Sequence, residues 1–217
     1  MAGTRPNARR WTFRRMGSIV VLTLALVVVL SLAGPGWWRL APDGESLEQQ
    51  GNDIEQLLVS RVTKVRDSEE PWGFVIEDDV VNVWLATRLI PWLTHDGDLN
   101  LPEGWVDPRV RFGSDVIQIG VRSPFHSVMV IDFRPRLEND SVVFELIGTS
   151  IGSMPVPLAM GASMVPVLGT IEGDDAEVSM DRFSIPRAFE LADGRRVWIE
   201  DFEVASGELG LRFRTLR

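Results

Sequence analysis

The longest apolar stretch of the chain lies near its N-terminus, where the 23 residues between Arg15 and Arg39 carry no charge. At about 1.5 Å per helical residue they extend roughly 34 Å, more than the hydrocarbon core of a bilayer, which is about 30 Å thick. Leu, Ile and Val make up 11 of the 17 residues from Gly17 to Ala33, and these side chains favour insertion into a bilayer. The pattern predicts a transmembrane anchor over residues 16–38.

The flanking charges indicate how this anchor is oriented. The residues before it are rich in arginine, and no acidic residue occurs before Asp43. Because cytoplasmic flanks of membrane spans are enriched in Arg and Lys, we expect residues 1–15 in the cytoplasm. Residues 39–217 would then lie on the extracytoplasmic side of the cell membrane. Trp37 and Trp38 would then lie at headgroup level. The prediction is a single-pass protein of the cell membrane.

A cleaved signal peptide is the alternative interpretation of the same stretch. Ser31 and Ala33 have the small size required before a cut after Ala33. The apolar run is longer than the usual signal core of about 7–15 residues, and Pro35 lies directly beyond the cut. The length favours a retained anchor, with a buried core helix as a third interpretation.

After a linker rich in Gly and Pro, the hydrophobic spacing has a helical period. Apolar residues recur at steps of three and four: Leu47, Ile54, Leu57, Leu58, Val62 and Val65. We expect a helix that Gly51-Asn52-Asp53 interrupts, with residues 54–66 as its firm part. A short strand over 72–76 and a second helix over 80–89 follow; Glu77, Asp78 and Asp79 suit the start of that helix, and Pro91 its end.

From Trp105 onward the spacing changes to period two, which predicts an antiparallel meander. We expect strands over residues 110–112, 116–121, 127–133 and 142–147, and a final hairpin of 197–204 with 208–213. Between them lies a segment rich in Gly, Pro and Met, with a short helix predicted near 158–168, and an ambiguous stretch over 176–191. About 180 residues after the anchor suit one domain, 39–217, of class α+β.

Charge and cysteine content narrow the classes of function. Beyond Arg15 the chain has 17 basic and 31 acidic residues, a formal charge of −14. Such a surface repels phosphate groups, and no basic cluster with interleaved aromatic residues offsets it, so we expect no nucleic-acid partner. The chain has no cysteine, so it forms no disulfide and lacks the thiolate ligands common in zinc and iron–sulfur sites.

Two short motifs resemble functional sites without the required context. Residues 148–152, Gly-Thr-Ser-Ile-Gly, match the G-x-S-x-G of serine hydrolases, but a helix and a later histidine should follow, and His95 and His126 both precede Ser150. Asp96, Asp98 and Asn100 begin like an EF-hand loop, but Leu101 stands where glycine is needed. We therefore expect no catalytic, metal-binding or cofactor-binding residues.

The order of the elements and two segments resemble a known family. The segments are residues 76–86, Ile-Glu-Asp-Asp-Val-Val-Asn-Val-Trp-Leu-Ala, and Ile147-Gly148 ahead of Ser153-Met154-Pro155-Val156-Pro157. Together they are similar to the YpmS-like small single-pass bacterial envelope proteins, which look related to tubular lipid-binding (TULIP-like) domains. The resemblance covers residues 45–217. It implies a curved antiparallel sheet packed on one or two helices, an elongated apolar groove for acyl chains, no enzymatic activity and no cofactor.

The candidate groove residues come from this resemblance and from a methionine cluster. Methionine side chains adapt to varied apolar ligands and also fill irregular cores, so both roles stay open for the cluster. The candidates are Trp84, Leu85, Met154, Pro155, Pro157, Met160 and Met164. We expect a membrane-anchored, non-enzymatic envelope protein whose exported domain binds lipid or another apolar ligand. The alternative is an envelope scaffold or protein-interaction module without a ligand.

Overall fold

A computed structural model describes residues 8–38, 45–65, 70–96, 103–158, 178–179, 182–191 and 193–216, with side chains of the first helix described from Ile19. Its four helices are α1 (Ala8–Leu32), α2 (Glu45–Thr63), α3 (Asp78–Thr87) and α4 (Leu89–Asp96). The strands are β1 (Trp72–Glu77), β2 (Val106–Phe112), β3 (Ile117–Arg122), β4 (Val128–Glu138), β5 (Ser141–Ile151), β6 (Met154–Pro155), β7 (Val178–Ser179), β8 (Arg182–Pro186), β9 (Ala188–Glu190), β10 (Arg196–Ala205) and β11 (Glu208–Leu216).

The strands form two antiparallel sheets where the sequence predicts one. Sheet A has four strands in the order β1-β11-β10-β9, and sheet B has the order β2-β3-β4-β5-β8-β7, with β6 also paired to β5. The chain changes sheet at Arg187, between β8 and β9. The expectation of a single sheet is wrong because periodicity predicts strands but does not predict their partners, and β1 pairs with β11, at the other end of the domain.

The predicted α+β class, the meander β2–β5 and the hairpin β10–β11 are confirmed. Strands β4 and β5 extend beyond their predicted bounds and are joined by a tight turn in which Asn139 has φ 20°. A bulge interrupts their register between Asp132 and Phe133. This long hairpin forms the centre of sheet B.

Helix α3 closes the outer edge of sheet B. The side-chain amide of Asn82 donates to the carbonyl of Val110 and accepts from its N–H, both at 2.8 Å, as a paired strand would. One turn earlier, Asp78 accepts from the N–H of Phe112 at 3.3 Å. An open strand edge invites pairing with other chains, and α3 covers this one.

Two helix boundaries differ from the prediction. Helix α2 continues through Gly51. A Cβ at this position would lie 2.0 Å from Thr87 Oγ1, so the glycine permits close packing on α3 rather than breaking the helix. After α3 the chain enters α4 instead of leaving the helical conformation. Pro91 lies in the first turn of α4, where its missing N–H has no intrahelical partner to lose.

The C-terminus of α2 is held by the loop before β10. Arg195 donates to the carbonyls of Thr63 at 2.7 Å and Lys64 at 3.1 Å, which lie at or just beyond the end of the helix. The same guanidinium hydrogen-bonds Asp193, and this bond lowers the pKa of the Asp193 carboxyl below its ordinary value. A cation at a helix C-terminus also interacts favourably with the helix dipole.

Helix α1 ends against the turn between β5 and β6. The N–H of Ser153 donates to the carbonyl of Leu30 at 2.8 Å, and its hydroxyl donates to the carbonyl of Ala33 at 3.1 Å. Gly152, with φ 60°, lies so close to the end of the helix that an added Cβ would be 2.4 Å from the Leu30 oxygen. These contacts fix the end of α1 on sheet B.

The apolar stretch predicted as an anchor is helical only as far as Leu32. Trp37 and Trp38 are half-buried and cover Gly120 of β3, and the Arg109 guanidinium lies 5.5 Å from the ring centroid of Trp38. The two indoles therefore pack on the domain, where the sequence suggested lipid headgroups. Within the described ranges, no helix meets the combined length and hydropathy of a membrane-crossing segment.

Candidate functional site

A cavity of about 210 Å³ lies between the two sheets, and the described atoms that line it are all apolar. Sheet B and sheet A each provide five lining residues: Ile117, Pro135, Val142, Phe144 and Ile185 from sheet B, and Ile199, Phe202, Leu209, Leu211 and Phe213 from sheet A. The cavity is partly open to the surface, and its lining offers water no polar partner. The cavity is therefore suited to an apolar occupant.

Strand alternation places these side chains on the inner faces. Leu209, Leu211 and Phe213 occupy every second position of β11, so all three point to the same side of sheet A. Cross-strand pairs continue the surface: Phe202 opposes Leu211 and Ile199 opposes Phe213. On sheet B, Val142 and Phe144 of β5 face Ile185 and Phe183 of β8 in register.

Aromatic rings stiffen both walls of the cavity. Phe213 stacks on Trp72 with ring centroids 4.7 Å apart, and Phe144 stacks on Phe183 at 4.6 Å. Phe133 meets the ring of Phe183 edge-on at 5.4 Å. Such pairs add about 0.5–1.5 kcal/mol each beyond the burial of their area, so each wall is stabilised by ring contacts within its own sheet.

Arg187 joins the two sheets beside the cavity. Its guanidinium donates to the carbonyls of Ile199 and Glu200 on β10, each at 3.0 Å, and to Asn139 in the β4–β5 turn at 2.9 Å. The same group lies 4.7 Å from the ring centroid of Trp198. Because Ile199 lines the cavity, Arg187 fixes one of its walls relative to the other sheet.

The structure places the predicted groove residues apart from this cavity. Leu85 packs against the core formed by Val110, Phe112 and Val204. Trp84 lies beside Trp92 of α4, with ring centroids 6.5 Å apart. None of the described candidates is among the residues that line the cavity.

The other candidates belong to the segment after β5. Met154 and Pro155 form β6, which pairs with Ile151 and Ser150 of β5. Pro157 is exposed on the surface. Met160 and Met164, together with most of the predicted helix 158–168, lie outside the described residues.

Sequence reasoning missed the ten residues that line the cavity, although their signal is present. Leu209, Leu211 and Phe213 are spaced two apart on β11, and so are Val142 and Phe144 on β5, which is the ordinary pattern of a strand with one buried face. The same pattern predicts a filled core and a cavity equally well. Only the distance between the sheets distinguishes the two cases.

A second, larger cleft of about 480 Å³ is polar and lies between α3, β2 and Trp37. Asp78 and Asn82 line it, but both are hydrogen-bonded to the backbone of β2. Arg109 is paired with Asp107 at 3.0 Å. Since Asp78 and Asn82 already hold α3 on β2, and Arg109 is paired within β2, the cleft is best explained as a structural junction.

The catalytic and metal motifs do not assemble in the described part of the chain. Ser150 lies in the extended strand β5, between Val130 of β4 and Pro155 of β6, and not at a strand-to-helix elbow. His126 is exposed on the β3–β4 turn with φ 63°, and Asp98 and Asn100 lie outside the described residues. Within the described ranges no three acidic or histidine side chains come together as metal ligands would.

Comparisons of the chain with models of protein families, with curated proteins and with solved structures find no match. The features of the molecule that bear on a function are the cavity and the exposed apolar surface of α1.

Proposed function

We propose that this chain is a single-pass protein of the cell envelope whose exported domain holds an apolar ligand, such as part of a lipid acyl chain, between its two sheets. The observation that carries the proposal is the apolar cavity of about 210 Å³. The resemblance to YpmS-like envelope proteins implies the same class of ligand and stays a prediction.

The size of the cavity limits the ligand. Pockets for drug-sized molecules measure about 300–1,000 Å³, whereas an apolar cavity of about 150 Å³ accepts a benzene-sized molecule. At about 210 Å³ the space between the sheets holds a short apolar segment and not a whole phospholipid. The end of one acyl chain fits this description, with the remainder of the lipid outside the cavity.

The anchoring part of the proposal is supported by the surface of α1. Large apolar side chains are exposed along the helix from Ile19 to Leu32, including Leu22 at 68 % and Val21 at 65 % exposure. Burying one such side chain is worth about 1.5–3 kcal/mol, so an apolar surrounding stabilises this part of α1. The uncharged stretch of 23 residues and the arginines before it favour a bilayer, with the N-terminus in the cytoplasm.

Native mass spectrometry of the full chain, released from detergent after gentle purification, tests ligand binding. We expect an additional mass in the range of a fatty acid or phospholipid. The substitution Val142→Phe adds volume inside the cavity and should weaken ligand binding roughly tenfold, because the larger ring occupies space that the ligand would fill.

The matched control is Val75→Phe, the same change at a strand position that is 63 % exposed and outside the cavity. It should leave the bound fraction unchanged. Thermal unfolding of both variants checks that Val142→Phe still folds, and Leu209→Phe repeats the test from the opposite wall. A wild-type chain without added mass, or equal occupancy in all variants, would contradict the proposal.

The scaffold interpretation is the second candidate, and the position of β1 favours it. This strand lies at one end of sheet A, with Val75 exposed, so it offers an edge to a strand of another protein. Crosslinking in intact cells distinguishes the candidates: one stoichiometric protein partner together with a ligand-free mass supports the scaffold.

A further inference from the structure

The β3–β4 turn, residues 123–127, carries the most exposed large hydrophobic side chain of the described residues. Phe125 is 82 % exposed. Exposing one phenylalanine is common, but this one lies on a short turn without Asp, Glu, Lys or Arg, Ser-Pro-Phe-His-Ser.

Hydrogen bonds within the turn close it and leave Phe125 on its outside. The N–H of Ser123 donates to the carbonyl of Ser127 at 2.8 Å, and the N–H of His126 donates back to Ser123 at 3.0 Å. The two serine hydroxyls are buried and lie 2.8 Å apart. Because the turn is already ordered, placing Phe125 in another medium costs little conformational entropy.

The register of sheet B places this turn at the same end of the domain as the C-terminus of α1. Met129 of β4 opposes Ile151 of β5, and Gly152 donates to the carbonyl of Val128 at 2.7 Å. Gly152 and Ser153 are the residues on which α1 ends. With strands about 4.8 Å apart, the turn lies within about 10 Å of the end of the helix, measured across the strands.

Other apolar side chains are exposed at this end. Val106, the first residue of β2, is 50 % exposed and pairs with Arg122 next to the turn. Pro124 of the turn packs against Gly104, where an added Cβ would lie 2.8 Å from the proline ring. Phe125, Pro124 and Val106 thus give this end of sheet B a small exposed apolar surface.

We infer that the β3–β4 turn inserts Phe125 into the interfacial layer of the bilayer that holds α1. The inference rests on the membrane anchoring proposed above. It gives the domain two fixed points on the membrane, the docked end of α1 and the turn, so that sheet B stands on the bilayer in one orientation. The binding partner of the turn is thus the interfacial layer of a phospholipid bilayer.

Site-specific labelling of the full chain in phosphatidylcholine vesicles tests this contact. Because the chain has no cysteine, His126→Cys places a single environment-sensitive fluorophore on the turn, and Ser206→Cys places one on the β10–β11 turn. The latter lies at the opposite end of β2, since Gly207 donates to the carbonyl of Phe112. Lipids that carry a spin label quench a fluorophore only when it lies in the bilayer.

We expect spin-labelled lipid to quench the fluorophore on His126→Cys several-fold more than the one on Ser206→Cys. Adding Phe125→Ser should reduce that quenching at least twofold, whereas Val75→Ser should leave it unchanged. If the protein floats with the vesicles but both positions are quenched equally, the inference about the turn is wrong. The proposed anchoring through α1 is then retained. If the protein does not float with the vesicles, the proposed anchoring is itself wrong, and the inference with it.

Discussion

At Gly152 the backbone makes a contact that no other residue permits. Its φ of 60° is strained for residues with a side chain, and the space where a Cβ would lie is occupied by carbonyl oxygens at the end of α1. Backbone atoms cannot rotate away as a flexible side chain would. The identity of this one residue therefore decides whether α1 can dock on the domain.

The substitution Gly152→Ala should lower the free energy of unfolding of the full chain in detergent by about 2–3 kcal/mol. Gly194→Ala is the matched control, since Gly194 has φ 80° but no atom within 4 Å of the added Cβ. Its cost should be about 1 kcal/mol, from backbone strain alone. Equal losses in denaturant titrations of the two variants would show that α1 does not dock at Gly152.

Asn82 is a second single residue on which a contact depends. Its side-chain amide makes the two backbone hydrogen bonds that a neighbouring strand would make with the edge of β2. In Asn82→Ala the N–H and carbonyl of Val110 lose partners at 2.8 Å, which should cost about 1–3 kcal/mol. Hydrogen exchange at the Val110 amide should become faster by at least tenfold. Asn52→Ala, the same change on α2, should leave this exchange rate as it is; comparable rates in both variants would refute the role of Asn82.

At the scale of elements, the sequence predicts type better than extent. The strands of the meander and of the last hairpin follow from period two, and α3 follows from its acidic start. The two errors in the helices both concern residues that normally break helices. Gly51 and Pro91 normally break helices, but at Gly51 the neighbouring α3 requires the absence of a side chain, and Pro91 lies in a first turn where proline is tolerated.

The junction of the two sheets also belongs to this scale, since Arg187 is the residue at which the chain leaves one sheet for the other. Its three hydrogen bonds to carbonyls come from a charged donor, so Arg187→Ala should destabilise the chain by about 2–4 kcal/mol. Arg134→Ala, at an exposed position of β4, should change stability by at most about 0.5 kcal/mol. Similar unfolding midpoints for both variants would show that the stability of the two sheets does not depend on the hydrogen bonds of Arg187.

At the scale of the whole molecule, the sequence predicts the class of fold but not the site. The walls of the cavity come from strands separated by up to about one hundred residues, and nothing in the periodicity of β11 indicates that it faces β5. The Met and Pro residues after β5 were predicted to line an apolar groove because that segment is rich in these residue types. By contrast, ordinary strand residues such as Phe144 and Leu211 line the apolar cavity. Only the three-dimensional arrangement of these residues distinguishes a cavity from a filled core.

The most direct test of the lipid-binding account is a map of covalent contacts with a fatty acid that carries a photoreactive group at the end of its chain. The full chain is irradiated with this probe, and the labelled peptides are identified by mass spectrometry. We predict labels on β5 and β11, around Phe144 and Leu211, which Val142→Phe reduces and Val75→Phe does not. Labels confined to α1, or a pattern on the domain that is the same in both variants, would contradict the account.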